Sequence, residues 1–297
     1  MTTTTRTTPQ HTPPTPPVPA APAAPSAPSA PAAPSTLSNA PEPTSPPPEP
    51  APTPSSALPS PPSAATPQPG IPAPAGAETT GRAPWSADPY TDALRSGQGP
   101  LFLRRTDGWL LPLDVERWCA SADTADMSAL RHCEGAVLDV GCGPGRLVAA
   151  LAELGNRALG IDVSREAVER TVSLGGAALC RSVFEPLPGE GRWGSVLLLD
   201  GNIGIGGRPG ALLERCAELL TPGGLLLAET APLDVDERVE VRIDNGSGAG
   251  PRGGQPSFPW ARLGTDALLR YSACAGWSDV ARWESAGRSF VALRNTT

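Results

Sequence analysis

The chain lacks lysine altogether, so all 23 of its basic residues are arginine. Histidine is nearly absent too, with only His11 and His132, and none of the six cysteines forms a CxxC pair. Because zinc sites need closely spaced cysteine and histidine ligands, we predict no metal site. The cysteines are scattered along 297 residues, which argues against a disulfide framework and favours reduced thiols in the core.

Long apolar runs and arginine-rich runs are missing as well. No run approaches the ~20 apolar residues that span a bilayer, and no basic region followed by an apolar one marks a secretory signal. The formal net charge is −7, and no basic cluster is long enough to follow a phosphate backbone. We therefore predict a cytoplasmic protein that binds neither membrane nor nucleic acid.

Aromatic and large aliphatic residues are almost absent from residues 1–84, which hold 27 of the 39 prolines. Such a segment cannot bury enough apolar surface to offset the entropy of ordering its backbone. We predict a disordered Pro/Ala/Ser/Thr-rich tail with polyproline II character. Three interpretations stay open: a flexible spacer, a site for a protein partner at runs such as Pro46–Pro48, and an upstream start assignment.

Residues 85–297 are enough for one α/β domain. We expect residues 85–133 to form an N-terminal lid of mixed helix and loop, with helices near 90–97 and 113–119. From Ala136 onward, short apolar segments alternate with amphipathic helices, which is typical of βαβ units in a parallel sheet. The predicted strands are 136–140, 158–162, 177–184, 196–200 and 225–230, and the predicted helices are 146–154, 165–173 and 211–220.

The pattern changes after Thr230. Residues 237–244 alternate like a half-exposed strand, residues 246–259 are predicted as a glycine-rich loop, and residues 264–275 as a last helix. Two further strands at 277–283 and 289–293 are expected to close the domain as a hairpin.

A glycine-rich turn joins the first predicted strand of this alternating region to its helix. Gly141, Gly143 and Gly145 alternate between the strand and the helix, and Asp139 stands two residues before the first glycine. Glycine permits positive φ angles and lets a ligand approach the backbone closely. The helix N-terminus adds free N–H groups, so the turn predicts a ligand-binding site at this edge of the sheet.

The pattern Asp139-x-Gly141-x-Gly143-x-Gly145 resembles the first motif of class I S-adenosylmethionine-dependent methyltransferases. The resemblance implies a Rossmann-like, doubly wound, mostly parallel seven-stranded sheet that ends in an antiparallel hairpin. It also implies that the turn packs against the amino-acid end of the cofactor and that Asp139 acts on the cofactor's ammonium group, directly or through water. The implied cofactor-binding residues are Asp139, Gly141, Gly143, Gly145, Asp162, Val163, Val183, Phe184 and Asp200.

Three later positions carry the rest of the resemblance. Asp162 ends the second strand, where the family binds both ribose hydroxyls. Ser182–Phe184 follow the third strand, where the family holds adenine; the family often has an acid in place of Ser182, and Glu185 is an alternative. Asp200 ends the fourth strand, where the family places residues that face both cofactor and acceptor.

We expect the acceptor beside the segment 200–207, because ligands of open parallel sheets bind outside the carboxyl ends of the strands. This segment resembles the same stretch in a group of poorly characterised bacterial methyltransferases of the small-molecule type. The candidate substrate residues are Asn202 as a hydrogen-bonding group, Glu229 as a general base, and Arg105 from the lid. Trp118 and Trp260 are interpreted as core or lid packing.

The sequence thus predicts an enzyme that transfers a methyl group from S-adenosylmethionine to a small-molecule acceptor. No residue is assigned as catalytic, because an activated methyl donor needs mainly orientation from the protein. A non-catalytic cofactor-binding module in an assembly is one alternative. A nicotinamide-dependent oxidoreductase is a weaker alternative. It would need the pattern G-x-G-x-x-G and a catalytic Lys, Tyr or His near the sheet, and the chain has no lysine.

Overall fold

The computed structural model describes Trp85, residues 88–247 and residues 256–296. The predicted tail at residues 1–84 lies outside the described residues. The helices are α1 (Asp88–Ser96), α2 (Val115–Cys119), α3 (Thr124–Leu130), α4 (Arg146–Glu153), α5 (Arg165–Ser173), α6 (Pro209–Leu219) and α7 (Thr265–Cys274). The strands are β1 (Leu101–Arg105), β2 (Leu110–Leu113), β3 (Val137–Val140), β4 (Ala158–Asp162), β5 (Ala178–Cys180), β6 (Trp193–Leu198), β7 (Leu220–Thr230), β8 (Asp236–Asp244), β9 (Phe258–Leu263), β10 (Trp277–Ser285) and β11 (Arg288–Asn295).

Seven strands form the main sheet, in the order β10-β11-β7-β6-β3-β4-β5. The five strands from β7 to β5 run parallel, and β11 is antiparallel to both β7 and β10. Strand β3 lies at the centre, where Val137 pairs with Ala158 of β4 on one side and Ser195 of β6 on the other. The predicted doubly wound sheet with its closing hairpin is confirmed.

Helices cover both faces of this sheet because the side chains of successive strand residues point to opposite faces. Leu138 and Val196 pack in a core with α6 and α7. Val137 and Leu197 pack on the other face in a core with α3 and α4. The central strands are therefore buried on both sides, as their nearly unbroken apolar sequences predict.

The helix starts follow from local chemistry. The Ser164 hydroxyl accepts a hydrogen bond from the Ala167 N–H and caps α5 as predicted. Pro209 occupies the first turn of α6, where its missing N–H costs nothing. None of the helices in the described residues has the length and apolar character that a membrane crossing requires.

A second sheet, which the sequence analysis missed, has four antiparallel strands in the order β2-β1-β8-β9. Residues 85–133 are therefore not helix and loop alone, and the predicted loop at 246–259 ends inside β9. Phe102 of β1 pairs with Asp244 of β8. The sequence gives little local signal for this sheet, because β1 and β2 are short and their buried and exposed residues alternate only weakly.

Two other boundaries differ from the prediction. The strand expected at 177–184 is only Ala178–Cys180, because the Glu185 carboxylate accepts the Ser182 N–H and turns the chain. The turn expected at 221–224 belongs to β7, whose first residue, Leu220, pairs with Trp193. The short helix α3, which the sequence analysis did not assign, is held by a capping box between Asp123 and Asp126.

Candidate functional site

A cavity of about 310 Å³ lies at the carboxyl ends of β3, β4, β5 and β6. One wall comes from the turns that follow these strands, and the other comes from α1, α2 and β9. Eight of the predicted site residues line the cavity: Gly141, Gly143, Asp162, Val163, Val183, Phe184, Asp200 and Asn202. Asp139, Gly145, Glu229 and Arg105 do not line it.

Asp162 lies at the base of the cavity and fixes the glycine-rich turn. One carboxylate oxygen accepts the Gly143 N–H at 3.0 Å, and the other accepts the Ser164 N–H at 2.8 Å. Burial raises the pKa of this carboxyl to about 6, although the backbone hydrogen bonds act in the opposite direction. Each oxygen keeps further acceptor capacity for the hydroxyl groups of a ligand.

The backbone conformation of the turn explains why residues 143 and 145 are glycine. Gly145 has φ +92°, and a Cβ there would lie 2.6 Å from the Thr171 side chain. Gly143 has φ +54° and lines the cavity, where a Cβ would have Tyr90 Oη at 3.9 Å as its nearest neighbour. Gly145 is thus needed for packing, whereas Gly143 leaves room on the cavity side of the turn.

Asn202 supports the turn from the opposite side. Its amide Nδ2 donates to the carbonyl oxygens of Val140 at 2.9 Å and Gly141 at 3.0 Å. This geometry gives the candidate substrate residue a positioning role, because both of its donor hydrogens already serve the turn.

Asp139 is buried in β3, two residues before the turn. Its Oδ2 atom has no hydrogen-bond partner among the described residues. Burial is the main cause that raises the pKa of this carboxyl to about 7; nearby Arg146 lowers it, and the charges of Asp200 and Asp162 raise it further. A buried carboxylate oxygen without a partner is costly, so a cationic group brought to this turn would relieve that cost.

Arg146, the first residue of α4, is held between two carboxylates that the sequence analysis did not connect. Its guanidinium donates twice to Asp126, at 2.9 Å each, and to the two oxygens of Asp200, at 2.7 and 3.1 Å. Burial alone would raise the pKa of Asp126, but the hydrogen bonds from Arg146 and Arg288 outweigh it and hold the pKa at about 2. An arginine at a helix N-terminus is unfavourable, because the helix dipole is positive at that end. The position of Arg146 was therefore the signal in the sequence that this side chain has acidic partners.

Arg288 of β11 extends this network to Glu229. It donates two hydrogen bonds to Glu229, at 2.8 and 2.6 Å, and one to Asp126 at 2.7 Å. Glu229 also accepts the Asp200 N–H at 2.7 Å. Asp200 has φ +57°, which is strained for a residue other than glycine. Glu229 therefore holds Asp200 in place, and it borders a neighbouring cavity of about 200 Å³.

Comparison with known proteins gives a direct match at this site. Residues 137–224, from β3 to the start of β7, match the family described as a methyltransferase domain. This match agrees with the predicted class I S-adenosylmethionine-dependent methyltransferase, and so does the fold. A comparison with curated proteins finds no match.

A solved structure shows the same fold. A S-adenosylmethionine-dependent methyltransferase from Bacteroides fragilis, crystallised with S-adenosyl-L-homocysteine, superimposes with a TM-score of 0.58 at 18% sequence identity; the alignment covers 73% of this chain and 96% of that chain. The 1,6-didemethyltoxoflavin-N1-methyltransferase of Burkholderia thailandensis is also similar, with a TM-score of 0.44 and 19% identity over 59% of this chain and 79% of that chain.

An aromatic wall faces the methyltransferase turn across the cavity. It consists of Trp85, Tyr90, Trp118, Phe258 and Trp260, all of which line the cavity. Trp85 contacts three of the others, with ring centroids 5.1 Å from Tyr90, 5.4 Å from Phe258 and 5.6 Å from Trp260. Trp118 and Trp260 thus pack in the core, as interpreted, and also border the site.

Arg105 lies apart from the methyltransferase cavity. It pairs with Asp107 at 3.0 Å and Glu237 at 3.4 Å on the second sheet. These ion pairs explain its position without a ligand. The described residues hold no cluster of three or more His, Cys, Asp or Glu side chains that would bind a metal ion.

Proposed function

We propose that the protein transfers a methyl group from S-adenosylmethionine to a small-molecule acceptor bound between the glycine-rich turn and the aromatic wall. The observation that carries the proposal is the arrangement of the turn, Asp162 and the cavity at the carboxyl ends of the parallel strands. Ligands of open α/β sheets bind in this position. The location in the cytoplasm and the role of residues 1–84 stay predictions from the sequence.

The residues present fit this cofactor. Asp139 keeps an unpartnered oxygen in the strand that leads into the turn, which suits a nearby ammonium group. Asp162 offers carboxylate oxygens for ribose hydroxyls, and Val183 and Phe184 offer apolar surface for adenine. The structure thereby supports the cofactor-binding roles that the sequence predicts for these side chains.

When bound, S-adenosylmethionine supplies an activated methyl group on a sulfonium centre. The chain itself then has to orient two reactants, and good alignment can lower the barrier by on the order of 7–11 kcal/mol. Asn202 and Asp162 fix the turn, while Arg146 and Arg288 fix Asp200 beside the cavity. The aromatic wall excludes water from the opposite side.

A small acceptor fits the size of the site. The cavity volume of about 310 Å³ lies at the lower end of the range for small-molecule pockets, roughly 300–1,000 Å³, and the cofactor has to share this space with the acceptor. The second sheet closes over the strand ends through β9, which contributes Phe258 and Trp260 to the lining. A duplex or a folded protein would need an open surface, whereas a molecule of a few rings would not.

The test is thermal unfolding of the full chain with S-adenosylhomocysteine. At 100 times its dissociation constant, a ligand of the native state adds about 2.7 kcal/mol. For a domain of this size we expect the melting temperature to rise by about 5–10 °C. Asp162→Asn should abolish most of this shift, and NADH should produce none.

A matched control keeps the result interpretable. Asp234→Asn makes the same chemical change at an exposed position outside the cavity, so it should retain the full shift. If neither protein responds to S-adenosylhomocysteine while both unfold cooperatively, the methyl-transfer proposal is wrong. A role in assembly that needs no cofactor would then be the better explanation.

A further inference from the structure

The aromatic wall is larger than the cofactor site requires. The strand ends already provide Asp162, Val183 and Phe184, whereas the aromatic wall lies opposite them on α1, α2 and β9, together with Trp85. Its rings meet mainly edge to face, with interplanar angles of 82° for Trp85–Tyr90 and 89° for Phe258–Trp260. Mutual contacts of this kind fix the ring positions, and the wall therefore offers mainly aromatic surface to a molecule bound opposite the turn.

Charged groups of both signs line the cavity in equal number. The two acids, Asp162 and Asp200, are matched by Arg146 and Arg181. Arginines also surround Asp200, with Arg117 at 2.7 Å and Arg288 at 3.4 Å in addition to Arg146. Asp200 is thus paired with arginine, and Asp162 is the residue proposed to hold the ribose hydroxyls of the cofactor, so neither of these carboxylates is left to offset a cationic acceptor placed next to a sulfonium centre.

None of the described lining residues is suited to act as a general base. Asp162 accepts two backbone N–H groups, and its remaining acceptor capacity is assigned to the ribose hydroxyls of the cofactor. Both oxygens of Asp200 already accept hydrogen bonds from arginine. Burial raises the pKa of Tyr90 and of Cys142 well above their ordinary values, so both stay protonated at neutral pH. A hydroxyl or ammonium acceptor that needs deprotonation would lack the group that performs it.

We infer that the acceptor is an uncharged, planar aromatic or heteroaromatic compound that stacks on the aromatic wall and presents a nucleophilic atom needing no base. The inference rests on the proposed function. In the transfer, a lone pair of the acceptor forms the bond to the methyl carbon while the carbon–sulfur bond breaks and leaves its electron pair on sulfur. The acceptor takes up the positive charge and afterwards releases a proton to water if it carries one.

The test uses the full chain saturated with S-adenosylhomocysteine and three probes in calorimetric titrations. The probes are 2-naphthol, its saturated counterpart decahydro-2-naphthol, and choline as a cation. We expect 2-naphthol to bind about tenfold more tightly than either of the other two, because decahydro-2-naphthol has no aromatic face to stack and choline finds no unassigned carboxylate to add to its cation–π attraction. Saturation with S-adenosylhomocysteine is measured first and independently.

Matched variants locate the binding. Trp85→Leu and Phe258→Leu should each weaken 2-naphthol binding by about three- to tenfold and leave the affinity for S-adenosylhomocysteine within twofold. Both side chains are only partly buried, so both variants should fold. Trp109→Leu removes an exposed tryptophan outside the cavity and should change nothing.

The outcomes separate the two proposals. If S-adenosylhomocysteine does not bind, the proposed function fails and this inference fails with it. If it binds but decahydro-2-naphthol or choline equals 2-naphthol, only the inference is overturned. Equal loss of 2-naphthol binding in Trp109→Leu would also overturn it, because the ring would then stack elsewhere.

Discussion

Replacing Asp139 with asparagine should stabilise the ligand-free protein above neutral pH and weaken its binding of the cofactor. The carboxyl has a pKa of about 7 in the folded protein, against an ordinary value of 3.8, chiefly because it is buried. Three units correspond to about 4 kcal/mol. Because the folded pKa is raised, this stability is present below about pH 4 and is lost as the pH rises to 7.

The pH dependence of the difference between the two proteins is the informative quantity. Burying an asparagine amide has its own cost, but that cost is the same at every pH. Between pH 5 and pH 8 the wild type should lose about 2–3 kcal/mol relative to Asp139→Asn. Asp162 titrates in both proteins, so its contribution largely cancels in the comparison. Urea unfolding at the two pH values measures the difference directly.

The affinity for S-adenosylhomocysteine should change with pH in the opposite direction to the stability, and increase as the pH rises. The ammonium group of S-adenosylhomocysteine favours the ionised carboxylate, so wild-type affinity should fall as the pH drops below 7. Asp139→Asn should bind about 10- to 100-fold more weakly at pH 8, which matches the loss of a hydrogen bond to a charged group. The reasoning is refuted if the two unfolding free energies run parallel from pH 5 to pH 8, or if the variant binds as tightly as the wild type.

Three further substitutions test the network and the turn. Arg288→Ala should lower the free energy of unfolding by about 3–5 kcal/mol, because Glu229 and its neighbours lose a buried cation; Arg288→Lys should lose less, and a denaturant midpoint equal to wild type would contradict this. Asn202→Asp should raise the dissociation constant of S-adenosylhomocysteine more than Asn202→Ala, because a carboxylate would face two carbonyl oxygens; calorimetry compares them. Gly145→Ala should lower the free energy of unfolding by about 1–3 kcal/mol from its positive φ alone. Adding Thr171→Ala should relieve only part of the added clash, because the Cβ of residue 171 would still lie 2.8 Å from the new Cβ; thermal melting compares the variants.

Local sequence determined much of the main sheet. Apolar segments such as 196–198 are long enough for a buried strand, and glycine or a capping residue stands where each segment turns. Asp139, Gly145 and Asp162 lie on one strand, the turn that follows it and the next strand. Their spacing is therefore local and can be recognised in the sequence. For this reason the fold of the main sheet and most of the residues that line its cavity at the strand ends could be predicted.

Tertiary structure decided what distant segments build together. The second sheet joins β1 to β8 across more than a hundred residues, and the aromatic wall takes one side from α1 and α2 and the other from β9. The network around Asp200 likewise depends on Arg146 from α4 and Arg288 from β11. Burial and pairing of side chains arise only when these segments pack together. The local sequence pattern therefore predicts the glycine-rich turn, whereas the residues opposite the turn are brought together only by the folded structure.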